Sequence, residues 1–369
     1  MPELIFLTGA SGFLGSHIAI QLLDRGYNVR ATVIPSSARG RRVAELKESY
    51  ARFGDRFQVV DIPDLAVGDF TAALQGVDGL IHAAAPLAGR ATLAEILSGA
   101  VDGTLNLIRQ AQKVGITRIV VTSSIVTVSD LVNADPNLFT DKHWYAADKE
   151  TALNGGPWDV YCAAKTLAER ELWAFNDAHP ELEITTSMCA LVDSPFSLTG
   201  STVNPPFLYG PFPEGFKQPT PDYFALSTNI QIYRFLKPSG PYPPCPSYTD
   251  IRDCAKAHIL ALNSPPTAVV GRKRLVISSP HAYDFKGVLE LIAEKRPELK
   301  DRLNKEAPPT FTFDRLLVDF KRIEEVVGIK KEDFRPSDET FLDAVDSLIA
   351  VEKQWAALGH KVDIPDDFE

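Results

Sequence analysis

A glycine-rich segment near the start of the chain constrains the fold more than any other feature of the sequence. TGASGFLGSH, residues 8–17, follows the apolar run Leu4–Leu7, and its three glycines are spaced three residues apart. An amphipathic helix pattern comes next and ends at Gly26, and a second apolar strand begins at Tyr27. A strand, a glycine-rich turn, a helix and a second strand predict a βαβ unit with parallel strands.

The glycine-rich turn has two interpretations. Glycine is the residue that most easily adopts a sharp turn between a strand and a helix. Glycine also lets the main chain approach a pyrophosphate at the N-terminus of a helix, where free amides and the helix dipole favour an anion. The flanking strand and helix favour the second interpretation. The residues predicted to bind a dinucleotide here are Thr8, Gly9, Ser11, Gly12, Phe13, Leu14 and Gly15.

The N-terminal part of the chain alternates between strand and helix patterns, which predicts an α/β fold with a doubly wound parallel sheet of the Rossmann type. The predicted strands are Leu4–Thr8, Asn28–Ile34, Phe57–Val60, Gly79–Ala84, Arg118–Thr122 and Arg274–Ser278. The predicted helices are Phe13–Arg25, Ser37–Phe53, Phe70–Leu74, Leu93–Val114, Asp159–Ala178 and Asp253–Leu262.

A change in composition predicts two regions. Residues 203–246 are rich in proline and have few periodic apolar runs, which is typical of a loop-rich cap. We expect residues 1–203 to form an NAD(P)-binding Rossmann domain, to which residues 248–279 return. Residues 204–247 and 280–369 are then expected to form a smaller, loop-rich and helical substrate-binding region.

Charge and composition exclude several classes of partner. The net charge is −10 and the only basic cluster is Arg39–Arg42, so neither nucleic acid nor an anionic membrane is expected. No apolar stretch approaches the ~20 residues needed to span a bilayer, and the N-terminus carries no secretory signal. The four cysteines have neither metal-ligand spacing nor a disulfide pattern, so we expect no metal and a cytoplasmic protein.

The segment after the second strand bears on the choice of cofactor. In IPSSARGRR, residues 34–42, no acidic residue is available to bond the ribose hydroxyls of NAD. Ser36, Arg39 and Arg42 instead suit a 2′-phosphate, which favours NADP over NAD. The alternative is a solvated basic start of a helix.

Two further strand ends are predicted to contact the cofactor. Asp61 and Ile62, after the third strand, are placed to meet the adenine, although Asp often caps a turn. The three alanines that follow the fourth strand, Ala83, Ala84 and Ala85, leave room for a ligand against the main chain. His82, just before them, is interpreted as a core histidine and not as a catalyst.

A serine and a Tyr–Lys pair supply candidate catalytic groups. Ser124 follows the fifth strand, and Tyr161 and Lys165 are four residues apart, on one face of a helix. A neighbouring ammonium and a nicotinium ring favour the phenolate of a tyrosine, which can then act as a general acid or base. We predict that Ser124 holds the carbonyl oxygen, that Tyr161 transfers the proton, and that Tyr161 and Lys165 also contact the cofactor.

These segments together resemble the extended short-chain dehydrogenases/reductases. The resemblance is strongest to dihydroflavonol 4-reductases, cinnamoyl-CoA reductases and fungal aldehyde or methylglyoxal reductases. It covers roughly residues 4–330 and rests on TGASGFLGSH, HAAAP, TSS, YCAAK, NPPFLYGP and YTDIRDCAKAHILAL. It implies NADPH-dependent reduction of an aldehyde or ketone by a monomer or homodimer, with Pro205 beside the nicotinamide.

Three departures from the family pattern stand out. Ile34 occupies the position where NADPH-preferring members often have arginine, and Ala164 replaces a serine before the lysine. Met188–Gly200 also lengthens the connection into NPPFLYGP, which in the related reductases follows a strand directly. We interpret Met188–Gly200 as an insertion; the alternative is a natural loop at the substrate site.

Two alternative functions remain open at this stage. A sugar-nucleotide epimerase or dehydratase of the same fold needs cations in the cap to hold a diphosphate, and residues 205–246 offer only Lys217, Arg234 and Lys237. A non-catalytic NADP-binding regulator could dispense with Tyr161 and Lys165, both of which are present. Both observations favour the carbonyl reductase with a small or aromatic substrate.

Overall fold

A computed structural model describes most of the chain. The described residues are 2–33, 43–84, 93–128, 140–148, 150, 157–188, 207–215, 221–243, 246–311, 315–362 and 364. Five of the predicted cofactor-binding residues lie outside these ranges: Ser36, Arg39, Arg42, Ala85 and Pro205.

Nine strands in this part of the chain form two parallel sheets. They are β1 (Leu4–Thr8), β2 (Asn28–Val33), β3 (Phe57–Asp61), β4 (Gly79–His82), β5 (Arg118–Ser123), β6 (Glu183–Met188), β7 (Phe207–Tyr209), β8 (Tyr248–Asp250) and β9 (Lys273–Val276). The larger sheet has seven strands in the order β3-β2-β1-β4-β5-β6-β9, and β7 pairs with β8 separately. The predicted doubly wound parallel sheet of the Rossmann type is therefore confirmed.

Helices connect the strands. The α-helices of the described residues are α1 (Phe13–Asp24), α2 (Val43–Ser49), α3 (Leu93–Lys113), α4 (Pro157–Ala178), α5 (Ile230–Tyr233), α6 (Ile251–Ala261), α7 (Thr267–Val270), α8 (Phe285–Lys295), α9 (Phe320–Val327) and α10 (Ser337–Ala357). Short 3-10 helices occur at Ala51–Arg56, Ile125–Thr127, Tyr223–Asn229, Arg234–Leu236, Pro297–Arg302 and Lys331–Asp333.

The sheet is buried on both faces. Ile5, Phe6 and Leu7 of β1 are successive residues whose side chains point to opposite faces, and all three are fully buried. Helices α1 and α6 pack together, and α3 pairs with α4. Strand order reverses between β1 and β4, so the crevice where such sheets bind ligands lies at the carboxyl ends of these two strands.

Two predicted helices differ from the structure. Phe70–Leu74 is a single hydrogen-bonded turn, closed by the bond from the Leu74 amide to the Phe70 carbonyl. Its apolar residues reflect burial, because the Phe70 ring packs edge-on against Phe6. The helix predicted at Ser37–Phe53 is described only as α2, which ends at Ser49 before the 3-10 turn that contains Gly54 at φ +56°.

The C-terminal elements return to the sheet, and α10 packs against β7 and β8. Strand β9 extends the sheet beyond β6, and α6 precedes it in the chain. Stacked and tilted rings of Tyr209, Tyr248 and Phe341 join β7, β8 and α10. Within the ranges described, no helix combines the length and the apolarity that crossing a bilayer requires.

Candidate active site

Two glycines of the glycine-rich turn, Gly9 and Gly15, have no room for a side chain. Gly9 has φ +83°, and a Cβ on it would lie 2.8 Å from the carbonyl carbon of Ala83. A Cβ on Gly15 would lie 2.0 Å from the carbonyl oxygen of Gly9. Gly12 is the N-cap of helix α1, which has no side-chain cap and no acidic residue in its first turn. The uncapped amides and the dipole of this helix favour an anion.

Thr8 joins the ends of the two central strands. Its Oγ1 accepts a hydrogen bond from the Ala84 amide at 3.1 Å and lies 2.8 Å from Nδ1 of His82. The other ring nitrogen of His82 lies 3.2 Å from Oγ1 of Thr104. Burial lowers the pKa of His82 to about 4, and the charge of Lys165 acts in the same direction. His82 is therefore a neutral, hydrogen-bonded core histidine.

The start of α1 also contacts the segment that follows β7. Phe13 is buried, and its ring centroid lies 5.1 Å from that of Phe212. Nε2 of His17 lies 2.8 Å from the carbonyl oxygen of Pro211. The Leu14 side chain is buried in the core. Contacts from Phe13 and Leu14 to a dinucleotide would therefore be made by their main-chain amides.

The residues at the end of β3 differ in exposure. Asp61 is exposed, whereas the Ile62 side chain is 5% exposed and lies in a core cluster with Phe70. A contact between Ile62 and an adenine remains a prediction, as do those of Ser11, Ala83 and Ala84.

The three candidate catalytic residues are all buried. Ser124 is fully buried and caps the 3-10 helix at Ile125–Thr127, with its Oγ 3.4 Å from the Val126 amide. Tyr161 and Lys165 lie one turn apart on α4, 6% and 9% exposed, and Nζ of Lys165 is 6.0 Å from the Tyr161 ring centroid. Helix α4 packs against the 3-10 helix, which brings the Tyr–Lys pair to the end of β5.

A small cavity lies between Lys165 and Ala84, one candidate catalytic residue and one candidate cofactor residue. It has a volume of about 30 Å³ and lies between α3, α4 and the sheet. Its lining includes Ala84 after β4, Ser123 at the end of β5, and Lys165 and Glu169 on α4. The structure therefore places Lys165 beside both strand ends that were predicted to form the site.

The sequence prediction missed two charged residues at this site. Glu169 of α4 and Arg274 of β9 form an ion pair, with Nε 3.0 Å from Oε1, and their side chains are 2% and 0% exposed. The signal for Glu169 is its position one helical turn after Lys165. No local pattern identifies its partner, which is 105 residues away in the chain.

Known proteins resemble this chain over most of its length. The model of the NAD dependent epimerase/dehydratase family matches residues 5–277. An NADPH-dependent methylglyoxal reductase of Saccharomyces cerevisiae is 27% identical over 370 residues, 94% of this chain and 98% of the relative. A ketoreductase of Aspergillus niger is 30% identical over 371 residues, 95% of this chain and 98% of the relative. The crystal structure of yeast methylglyoxal/isovaleraldehyde reductase complexed with NADPH has a TM-score of 0.74 at 23% identity, covering 95% of this chain and 99% of that one.

Proposed function

The chain belongs to the NAD dependent epimerase/dehydratase family, and we propose that it reduces an aldehyde or ketone to the alcohol with NADPH. The observation that carries this proposal is the Tyr161–Lys165 pair, buried one helical turn apart on a helix that packs against the 3-10 helix capped by Ser124. These groups are the acid, the cation and the hydroxyl that a carbonyl reduction needs.

The residues present fit a dinucleotide. The tightly packed glycines and the uncapped start of α1 form a cradle that a Cβ would fill. The main chain of Gly9–Gly15 would hold the pyrophosphate, and Lys165 would bond the ribose hydroxyls. When bound, NADPH supplies the hydride that reduces the carbonyl carbon.

The chain's own groups would handle the oxygen of the substrate. The Ser124 hydroxyl donates a hydrogen bond to the carbonyl oxygen and orients it. The phenol of Tyr161 gives its proton to that oxygen as the C–H bond forms, so the product is a neutral alcohol. The ammonium of Lys165 stabilises the resulting phenolate by its charge.

Two observations support NADP over NAD. The Saccharomyces cerevisiae relative is NADPH-dependent by name. In this chain, residues 34–42 carry Ser36, Arg39 and Arg42 and no acidic residue, which suits a 2′-phosphate.

The cap offers little to hold the diphosphate of a sugar nucleotide. Arg234 donates a hydrogen bond to Gln231 at 3.0 Å, and Lys237 donates one to the Ile364 carbonyl at 2.8 Å. Lys217, the third cation of the cap, lies outside the described residues. Since two of the three cations have partners within the protein, a small or aromatic carbonyl compound fits better than a sugar nucleotide.

Loss of NADPH absorbance with a panel of aldehydes and ketones, against a UDP-sugar panel and NADH, tests this function. We expect turnover of carbonyl compounds with a higher kcat/KM for NADPH than for NADH. Tyr161→Phe should lower kcat by at least ~100-fold, because the general acid is lost. The NADPH dissociation constant, measured by fluorescence, should stay within a few-fold.

Tyr27→Phe is the matched control, because Tyr27 precedes β2, at the opposite end of the strand from the candidate site. Its hydroxyl accepts a hydrogen bond from Asn263. Tyr27→Phe should leave kcat unchanged. A Tyr161→Phe variant that turns over near the wild-type rate, or conversion of UDP-sugars alone, would contradict the proposal.

A further inference from the structure

A buried ion pair lies directly behind the candidate catalytic residues. Glu169 follows Lys165 by one turn and Tyr161 by two turns on α4. Its carboxylate receives Nε of Arg274 at 3.0 Å, and the two side chains are almost completely excluded from solvent. Desolvating two charges costs free energy that their attraction offsets only in part, so an ion pair here is a poor means of stabilising the fold.

The Glu169 carboxylate is surrounded by donors. Ser123 Oγ donates to Oε2 at 2.8 Å, and Thr186 Oγ1 and Trp173 Nε1 donate to Oε1 at 2.7 Å and 3.3 Å. Burial by itself raises the pKa of Glu169, but Arg274 and the hydrogen bonds outweigh it and hold that pKa below its ordinary value. A glutamine in place of Glu169 would turn an NH₂ group toward these donors.

Arg274 reaches from this carboxylate to the segment beyond Ser124. Its Nη2 donates to the carbonyl oxygen and to Oγ1 of Thr127, at 3.1 Å and 2.8 Å. The Thr127 hydroxyl in turn donates to the Ser124 carbonyl at 2.9 Å.

The rest of the guanidinium is fixed as well. Nη1 of Arg274 donates to the carbonyls of Asp141, at 3.1 Å, and of His143. The group also stacks on the Trp144 ring at 3.6 Å.

From these contacts we infer that Glu169 and Arg274 are positioning residues that fix Ser124 relative to Tyr161 and Lys165. The inference rests on the proposed function. The pair ties α4 to the residue before Ser124 through Ser123, and to the third residue after it through Thr127. Because the planar Arg274 guanidinium donates to both oxygens of the Glu169 carboxylate, it fixes the relative orientation of the two side chains as well as their distance. A displacement of about 1 Å in such a site lowers the rate by ~100-fold.

Two variants test this positioning role. Arg274→Lys keeps the charge but has one ammonium nitrogen in place of the planar fork, so the parallel pair of bonds to the Glu169 carboxylate is lost even where a bond to Thr127 forms. We expect kcat to fall at least ~10-fold while the NADPH dissociation constant changes less than ~3-fold. The double variant Glu169→Leu/Arg274→Met leaves no unpaired charge in the core, and kcat of the folded protein should stay at least ~10-fold below that of the wild type.

The neighbouring ion pair on the same strand is a matched control. Lys273 is 1% exposed and binds Glu183 at 2.6 Å, and its other partners are Ser264 and Pro265. Lys273→Met should lower the melting temperature while kcat per folded molecule stays at the wild-type value.

Hydrogen exchange gives a readout that does not depend on turnover. Amides of residues 124–128 should exchange at least ~10-fold faster in Arg274→Lys than in the wild type, and Lys273→Met should leave them unchanged. Wild-type kcat in both Arg274 variants, or unchanged exchange at residues 124–128, would overturn the inference. If the wild-type protein reduces no carbonyl compound, the proposed function fails. The exchange experiment alone then tests whether Glu169 and Arg274 fix the position of Ser124.

Discussion

Gly12 and Gly15 differ in what an added methyl group would meet. At Gly15 the new Cβ would lie 2.0 Å from the Gly9 carbonyl oxygen, so the turn itself must shift. At Gly12, which is exposed with φ −86°, the nearest atom would be that same oxygen at 3.3 Å. A substitution at position 12 can therefore distinguish a turn with only a structural role from a turn that also binds a ligand.

We predict that Gly12→Ala weakens NADPH binding at least ~10-fold while changing the free energy of unfolding by less than about 1 kcal/mol. The methyl group would occupy space that the pyrophosphate needs. Gly15→Ala should weaken binding and also destabilise the fold by about 1–3 kcal/mol. Fluorescence titration and urea unfolding measure the two quantities; wild-type affinity in Gly12→Ala would favour the simple tight turn.

At the scale of elements, β6 changes the boundary of the proposed insertion. Our interpretation of Met188 as the start of the insertion is wrong, because Met188 is the last residue of β6, fully buried and paired with Ser123 and Val276. Its carbonyl accepts the Ile277 amide at 3.2 Å. An insertion would therefore begin after Met188, and residues 189–206 lie outside the described part of the chain.

Two deletions of thirteen residues test the insertion. Deleting 189–201 keeps Met188, whereas deleting 188–200 leaves the same length but puts Ser201 at the buried strand end. We predict that the first deletion preserves or raises soluble yield and reductase activity. The second should be less stable by about 2 kcal/mol or more, because a buried methionine is replaced by a smaller polar side chain. An insoluble or inactive first deletion, beside an active full-length chain, would make the segment a functional part of the site.

At the scale of the whole molecule, buried histidines on helix α1, strand β4 and helix α6 couple stability to pH. Burial lowers the pKa of His17, His82 and His258 to about 4, from 6.5 in a free side chain. The unfolded chain therefore takes up protons near pH 6.5 while the folded chain does not. The contribution of these neutral histidines to the free energy of unfolding is fully present above pH 6.5 and is lost as the pH falls toward 4. Asp253 opposes this trend in part, because burial and Asp250 raise its pKa to about 6.

We predict that the free energy of unfolding falls between pH 7.5 and 5, with each lowered pKa unit worth about 1.4 kcal/mol. His258→Gln should be less stable at pH 7.5 but lose less on acidification, since a titrating group is gone. Thr122→Val is the control, because it removes the 2.9 Å hydrogen bond to His258 and keeps the imidazole. Urea unfolding at several pH values measures the free energy of unfolding of each variant. If this free energy depends on pH equally in His258→Gln and in the wild type, His258 does not contribute to the pH dependence.

The features that depend on neighbouring residues could be predicted from the sequence. The glycine-rich turn, the strands around it and the Tyr161–Lys165 pair each depend on residues fewer than about ten apart, so periodicity and spacing identify them. The short apolar run Phe70–Leu74 shows the limit of this approach. Its periodicity fits a helix, but packing on Phe6 decides its conformation.

The pairs of distant residues that meet at the site could not be predicted from the sequence. The Thr8–Ala84 bond joins positions 76 residues apart, the His17–Pro211 contact 194 and the Glu169–Arg274 pair 105. Neither member of such a pair carries a local signal for the other. Strand order and crossover packing bring them together, because parallel strands that are distant in sequence place their carboxyl ends at one edge of the sheet.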